Sequence, residues 1–301
     1  MQAKQADPTA LVADLTVAQQ GLASAQLGLN STRLTVLQTV VTQYTGVFET
    51  GLKVTLNSAQ VALDERNLKV AQAKLAAKNG TQLDVSKAQN TLAQDQQELA
   101  NARAQLPVQE AQLVKTLGLA TGTDISVKAP PAPPRLNLAL AGLQSGLEGR
   151  LADVQKASQA LETAALQVKL SDNDYTPRRT LEDARVAQDN AQRDLDSARK
   201  TAQTSLRDAY RSVQDAQERV RLAGQSLQNQ RTSAAQTEAK FRSGTASALE
   251  VQTAQVTVQN AQLSLTTAQD TLWKALAALG LAAGQDLTGL AGGGLAAGGA
   301  K

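Results

Sequence analysis

The chain has 301 residues, none of which is His or Cys, and aromatic residues make up only 2% of it. Without an imidazole or a thiolate, it lacks the commonest general base, the thiol nucleophile and the soft metal ligands. The composition therefore predicts a protein that is not an enzyme and that has no cofactor and no metal site. The 30 basic and 27 acidic residues are mixed without a basic run, so the formal charge of +3 predicts no nucleic-acid partner.

Long helices are predicted for the first third of the chain, because prolines are rare there. A first helix is expected from about Pro8 to Lys78. A second helix follows a turn at Gly80. Pro107 is expected to kink or break this second helix, since proline lacks the backbone donor that a helix interior needs.

The second half of the chain has the most regular pattern. Small or apolar residues recur in steps of three and four from Leu181 to Leu227. This spacing predicts a coiled-coil helix from about Arg179 to Arg242, roughly 95 Å long at 1.5 Å per residue. Between the halves, the segment KAPPAPPR (128–135) predicts an extended linker of the polyproline type.

The sequence also repeats itself. LDVSKAQNTL (83–92) matches LEVQTAQVTV (249–258) at an offset of 166 residues, and Tyr44 matches Tyr210 at the same offset. The segments that begin with LGL at 117 and 279 match at an offset of 162. This change of offset predicts four extra residues, a coiled-coil stutter, in the first repeat.

A turn containing Gly-Thr joins the two helices of each repeat. Glycine is expected to supply the left-handed residue that ends the first helix, and Thr or Ser is expected to cap the second. Three steps separate Gly80 from Leu83, whereas five separate Gly244 from Leu249. The first turn is therefore predicted to be two residues shorter than the second.

Together these patterns predict an all-α protein of long antiparallel coiled-coil helical hairpins, duplicated in tandem. Four segments are predicted along the chain. They are a first helical-hairpin repeat (8–127), a Pro-rich linker with a short helix (128–148), a second helical-hairpin repeat (149–288) and a disordered Gly-rich tail (289–301).

The sequence resembles the TolC-like outer-membrane efflux proteins. The resemblance rests on KFRSGTASALEV (240–251), on the Ala-Gln pairs and LGL that follow it, and on GRLADVQKASQALETAALQVKL (149–170). It covers roughly residues 10–288, and tandem duplication is itself typical of the family. The ordered combination of these motifs across two repeats is more specific than any one of them.

The resemblance implies a homotrimer whose helices form an α-barrel across the periplasm. It implies a passive duct that docks to a periplasmic adaptor (membrane-fusion) protein and, through it, to an inner-membrane transporter. Two groups of site residues follow by position. The adaptor-binding tips would be Asn79, Gly80, Thr81, Ser243, Gly244 and Thr245, and the acidic positions at the entrance would be Asp84 and Glu250.

The chain also departs from the family. The residues between Tyr175 and Leu181 leave no room for two membrane strands, which need about 9–11 residues each. This argues against direct membrane contact, and the resemblance then implies a location on the periplasmic side of the outer membrane. The first ten residues contain no apolar segment of a secretory signal, so the chain is expected to be cytoplasmic, or else a mature or engineered form.

Two other functions fit the helical pattern. A structural or scaffolding coiled coil would bind partner helices only, but the matched turns and LGL segments argue against it. A periplasmic adaptor hairpin would be flanked by β-rich modules, and no strand-like alternating run is present. Asp84 and Glu250 also have a purely structural interpretation, as acidic residues that favour a helix start.

Overall fold

The computed structural model describes residues 8–290, which form helices and irregular segments without a strand. The prediction of an all-α fold is confirmed. The helices in chain order are α1 (Pro8–Ala76), α2 (Gln82–Thr116), α3 (Leu140–Gln144), α4 (Leu147–Arg150), α5 (Ala152–Ser171), α6 (Arg178–Arg242) and α7 (Ala248–Ala283). Most of the predicted Gly-rich tail, residues 291–301, lies outside the described residues.

The two longest helices lie where the apolar periodicity places them. Helix α1 has 69 residues and α6 has 65, with ends within two residues of the predicted ones. The expected break at Pro107 is wrong, because α2 continues through this residue to Thr116. Buried residues on both sides of the proline, among them Leu99 and Leu113, hold the helix in place although one backbone hydrogen bond is lost.

The chain divides into two compact units. Among the described residues, the first unit contains those up to Gln38, Leu136–Val213 and those from Ala275 onward, and the second contains Thr39–Arg135 and Gln214–Lys274. The apolar contacts of the second unit include a cluster of Leu56 and Leu63 from α1 with Val256 from α7. Helices α1 and α7 therefore pack together in this unit.

Three aromatic side chains hold the segment between α2 and α3. The Tyr44 hydroxyl donates a hydrogen bond to the Lys128 carbonyl at 2.9 Å, and the Trp273 indole N–H donates to the Pro131 carbonyl at 3.0 Å. In the first unit, the Tyr210 hydroxyl donates to the Leu138 carbonyl at 3.2 Å. The aromatic residues that the two repeats share thus satisfy carbonyl groups of a segment without regular structure.

Helices α5 and α6 follow each other closely. Residues 172–177 connect them, and Arg185 pairs with Asp172 across this connection at 3.9 Å. In a search of residues 8–290, no helix has both the length and the apolar character needed to cross a membrane.

Candidate functional site: the two hairpin turns

The first turn comprises residues 77–81 between α1 and α2, and the second comprises residues 243–247 between α6 and α7. Both turns lie in the second unit. The predicted difference in their lengths is wrong, because equivalent helix ends are 166 residues apart on both sides of the turn. Ala76 corresponds to Arg242, and Gln82 corresponds to Ala248.

Each turn begins with the same pair of backbone hydrogen bonds. In the first turn, Lys78 N–H donates to the Leu75 carbonyl at 3.0 Å, and Asn79 N–H donates to the Lys74 carbonyl at 2.8 Å. This pattern is a Schellman motif, which satisfies the last carbonyl groups of a helix and requires one left-handed residue. In the second turn, the N–H groups of Gly244 and Thr245 make the equivalent bonds at 2.9 Å each.

The left-handed residue differs between the two turns. Gly244 has the expected positive φ of 78°, but in the first turn the left-handed residue is Lys78, with a φ of 58°. The expectation that Gly80 fills this role is wrong. Gly80 instead makes a close approach, because a Cβ placed on it would lie 3.1 Å from the Lys74 Cβ. Its counterpart in the second turn is Ala246.

Both turns end in a capping box that includes the predicted acidic residue. Thr81 N–H donates to Asp84 Oδ2 at 2.9 Å, and Asp84 N–H donates to Thr81 Oγ1 at 3.2 Å. In the second turn, Ser247 N–H donates to Glu250 Oε2 at 2.6 Å, and Glu250 N–H donates to Ser247 Oγ at 3.2 Å. Each pair satisfies two backbone donors at the start of a helix.

The capping boxes favour the ionised form of both acids. Hydrogen bonds from the Thr81 side chain and backbone lower the pKa of Asp84, with a smaller contribution from Lys87 and Lys74. Hydrogen bonds from the Ser247 backbone and side chain lower the pKa of Glu250, with a smaller contribution from Lys240. Both carboxylates therefore carry a negative charge at neutral pH while they cap α2 and α7.

The second turn has hydroxyl contacts that the first turn lacks. The hydroxyls of Ser243 and Thr245 both donate to the Lys240 carbonyl, at 2.9 Å and 3.1 Å. The equivalent residues of the first turn are Ala77 and Asn79. The six predicted tip residues thus lie at the two turns, three at each, and no hydrogen bond or ion pair within residues 8–290 joins one turn to the other.

An exposed apolar side chain lies beside each turn. Leu83 in the first turn of α2 is 61% exposed, and Phe241 near the end of α6 is 45% exposed. The neighbouring basic residues Lys78 and Arg242 are also exposed. Each turn therefore presents a small surface of mixed apolar and basic character.

The left-handed glycines that follow α2 and α7 also correspond at an offset of 166 residues. Gly118 and Gly284 have φ values of 69° and 67°, and each closes a Schellman motif. The predicted four-residue stutter is therefore wrong. The LGL motif lies at the end of α2 but inside α7, so its two occurrences occupy different structural positions.

Arg150 is a residue that sequence reasoning did not single out. Its guanidinium donates to the Ala283 carbonyl at 2.9 Å and to the Leu143 carbonyl at 2.6 Å. A Cβ placed on Gly284 would lie only 2.7 Å from the Arg150 carbonyl oxygen. Arg150 therefore holds the end of α7. The sequence comparison had used the segment that contains Arg150 (149–170) only as a sign of the family resemblance.

A second candidate surface is a row of apolar side chains on α1. The row consists of Leu15, Leu22, Leu29 and Val36, which follow one another at intervals of seven residues and are 50–72% exposed. A seven-residue apolar interval is the signature of a coiled-coil contact. On α6, by contrast, the equivalent residues are half-buried or buried, and Leu195 is only 3% exposed where Leu29 is 72% exposed.

Two short helices lie beside α6. Glu148 of α4 pairs with Arg199 of α6 at 2.9 Å, and Val154 of α5 lines the same small cavity as Ala202 of α6. Helix α5 also contacts α1, where Ser24 donates to Gln159 at 2.9 Å. Helix α1 thus has α5 on one side, while the row from Leu15 to Val36 is left uncovered in the single chain.

The described residues contain no cluster of three or more acidic, His or Cys side chains that could hold a metal ion. The site therefore consists of helix ends, exposed apolar residues and single charges. Such an arrangement suits contacts between proteins.

Residues 176–285, which contain α6, the second turn and α7, match the model of the family described as outer membrane efflux protein. The match covers about a third of the chain and agrees with the resemblance to TolC-like outer-membrane efflux proteins that the sequence predicted. No curated protein sequence matches the chain.

Solved structures of outer-membrane channels share the fold. The outer membrane protein VceC of Vibrio cholerae is 18% identical, with a TM-score of 0.64 over 90% of this chain and 74% of its own. The CmeC channel of Campylobacter jejuni is 11% identical, with a TM-score of 0.66 over 91% of this chain and 67% of its own. CusC, whose structures describe transmembrane channel formation, is 12% identical, with a TM-score of 0.70 over 90% of this chain and 82% of its own.

Proposed function

We propose that this chain is the periplasmic helical part of an export duct of the outer-membrane efflux type. Three copies would form an α-barrel that acts as a passive conduit and catalyses no reaction. Its location would be the periplasmic side of the outer membrane. The observation that carries this proposal is the match of residues 176–285 to the outer membrane efflux protein family, in a chain that is similar in fold to such a channel over 90% of its length.

The exposed row on α1 supports self-association. Soluble monomers rarely expose a regular apolar seam, and such seams usually mark a contact with another protein. No charged residue occurs between Asp14 and Arg33, the stretch that contains Leu15, Leu22 and Leu29. A neighbouring copy that covered this row would complete the side of α1 that α5 does not reach.

The two turns support docking to a periplasmic adaptor (membrane-fusion) protein, which would connect the duct to an inner-membrane transporter. The turns are compact, and Leu83 and Phe241 are exposed beside them. The proposed docking residues in the turns are Asn79, Gly80, Thr81, Ser243, Gly244 and Thr245. Aromatic residues such as Phe241 are enriched in protein interfaces, and an exposed apolar side chain such as Leu83 gains from burial there.

Asp84 and Glu250 are the proposed acidic residues of the entrance. Their capping role does not conflict with this proposal, because both side chains remain exposed and ionised. They would place negative charge beside the turns and attract cations. This contribution is modest, since Lys87 and Lys240 act on the same carboxylates.

Assembly is tested by the solution mass of the purified chain. Light scattering should give three times the chain mass of 31.5 kDa. Replacing Leu22 and Leu29 together by Glu should yield a folded monomer, because both residues are already exposed in the single chain. Val108→Glu, at an exposed residue outside the row, is the matched control and should remain a trimer. A wild-type monomer, or a trimer that survives the Leu22/Leu29 change, would overturn the proposed interface.

Docking is tested with a purified soluble adaptor protein and the trimer in a surface-binding assay. Leu83→Ser and Phe241→Ser should each reduce the affinity by tenfold or more, whereas Val108→Ser should leave it unchanged. An adaptor that bound all three variants equally would show that the turns are not the docking site. A chain that bound no adaptor and stayed monomeric would instead favour the scaffolding coiled coil.

A further inference from the structure

Two sites in the second unit bring carboxyl groups into the helix contacts that involve α1. The first site is Asp270 on α7, whose side chain is completely buried. Neither of its carboxyl oxygens has a hydrogen-bond partner among the described residues. A buried carboxylate without a partner is strongly unfavourable, whereas the protonated form loses much less on burial.

The charged groups that act on Asp270 come from two helices. Lys274 follows one turn later on α7, and Glu49 lies on α1, where it pairs with Lys53 at 3.0 Å. Burial raises the pKa of Asp270 to about 7; Lys274 opposes this shift and Glu49 adds to it. Asp270 therefore changes its protonation state in the neutral range, far above its usual pKa of 3.8.

The second site joins α1 to α2. The Asp95 carboxyl on α2 lies close to the Asp64 carboxyl on α1, and two ionised carboxylates at such a position repel each other. Asp64 is 4% exposed, and Gln60 donates to both of its oxygens at 3.3 Å. The hydrogen bond to Asp64, burial and the negative charges of Asp64 and Glu98 raise the pKa of Asp95 to about 6.

We propose that these two sites form a proton-controlled contact between helices. When Asp270 and Asp95 are protonated, α7 and α2 pack firmly against α1 in the second unit. When the two groups ionise, Asp270 becomes an uncompensated buried charge and Asp95 repels Asp64. The packing of both hairpin helices on α1 then weakens at the same time, which makes the unit responsive to the pH of its surroundings.

The direction of the effect follows from linkage. Both groups have a higher pKa in the folded chain than the usual 3.8 of Asp, so their contribution to stability is full below about pH 4. It is lost as the pH rises through the folded values of about 6 and 7. Between these limits, each group can raise the unfolding equilibrium constant by up to about tenfold per pH unit.

The proposal is independent of the duct function and is tested by urea unfolding of the full chain between pH 4.5 and pH 8. Asp270→Asn keeps the size of the side chain and removes its ionisation. Relative to the wild type, it should gain stability as the pH rises from 4.5 to 8, by at least tenfold in the unfolding equilibrium constant over this range. Asp95→Asn should behave in the same way with a smaller effect.

Asp215→Asn, at an exposed residue of α6 in the same unit, is the matched control and should follow the wild type at every pH. Amide hydrogen exchange provides a local measurement. In the wild type, α7 between Leu263 and Trp273 should lose protection from pH 5.5 to pH 7.5 after correction for intrinsic rates, and Asp270→Asn should retain it. The same pH dependence in wild type and variants, or an Asn variant less stable than wild type at pH 8, would overturn the proposal.

Discussion

The two hairpin turns follow the same backbone pattern but are made from different residues. Each ends its first helix with a Schellman motif and starts the next with a capping box, in turns of equal length. The left-handed position is Gly244 in one turn and Lys78 in the other. The two repeats share the hydrogen bonding of the helix ends. The Gly-Thr pair, by contrast, occupies the last two positions of the first turn and the second and third positions of the second turn.

The far ends of α2 and α7 show the opposite relation. Gly118 and Gly284 have nearly the same φ, but their surroundings differ. A Cβ at Gly118 would meet no atom within 4 Å, whereas at Gly284 it would meet the Arg150 backbone. Glycine is thus needed at Gly118 only for its positive φ, whereas at Gly284 it also allows the close approach of the Arg150 backbone.

The largest expected difference between the repeats is at these two glycines. Gly118→Ala should destabilise the chain by about 1 kcal/mol, the usual cost of a left-handed alanine. Gly284→Ala should cost about 3 kcal/mol, because the added methyl group must also displace the Arg150 backbone. Urea unfolding of both variants measures the difference. Equal losses would mean that the contact with Arg150 adjusts freely.

A smaller difference is expected at the left-handed residues of the turns. Lys78→Gly should stabilise the chain by about 1 kcal/mol, since lysine is strained at a positive φ. Gly244→Lys should destabilise it by a similar amount, about 1 kcal/mol. The sum of the two changes, measured in the double variant, should be close to zero. If Lys78→Gly were destabilising, the lysine side chain would have to contribute a contact that outweighs its strain.

The caps should make the turns behave alike. Thr81→Ala and Ser247→Ala should each cost about 1 kcal/mol, the usual loss of a helix N-cap. The pKa values of Asp84 and Glu250 are lowered in the folded chain, so their contribution is present above the usual pKa of a carboxyl and is lost as the pH falls. The effect of both substitutions should therefore be larger at pH 7 than at pH 3 in thermal unfolding. If the loss of stability were the same at both pH values, the hydroxyl groups would stabilise the helix starts independently of the carboxylates, contrary to this prediction.

Much of the fold could be predicted from the sequence. The ends of α1 and α6 follow from apolar periodicity interrupted by Gly and Pro, and the caps at Asp84 and Glu250 follow from a hydroxyl residue three positions before an acid. These are local signals, and each helix end depends on only a few neighbouring residues. The two turns were located in this way, whereas their role in docking was implied only by the resemblance to efflux proteins.

Predictions that relied on identical residues in the two repeats were less accurate. The LGL motif suggested an insertion that the structure does not contain, and Gly80 suggested a left-handed residue that proved to be Lys78. Pro107 lies inside a continuous helix because packing on both sides outweighs its local cost. In each case a strong local preference was overruled by hydrogen bonding or packing around it.

The sequence by itself determined that the chain forms long helices in duplicated hairpins and where these helices start, because helix periodicity and end signals are local. Only the tertiary structure decided which surfaces are covered. It buries Leu195 on α6 and exposes Leu29 on α1, and it encloses Asp270 without a hydrogen-bond partner while leaving Asp215 in solvent. Burial depends on which neighbouring helix is present, and no periodicity within a single helix contains that information.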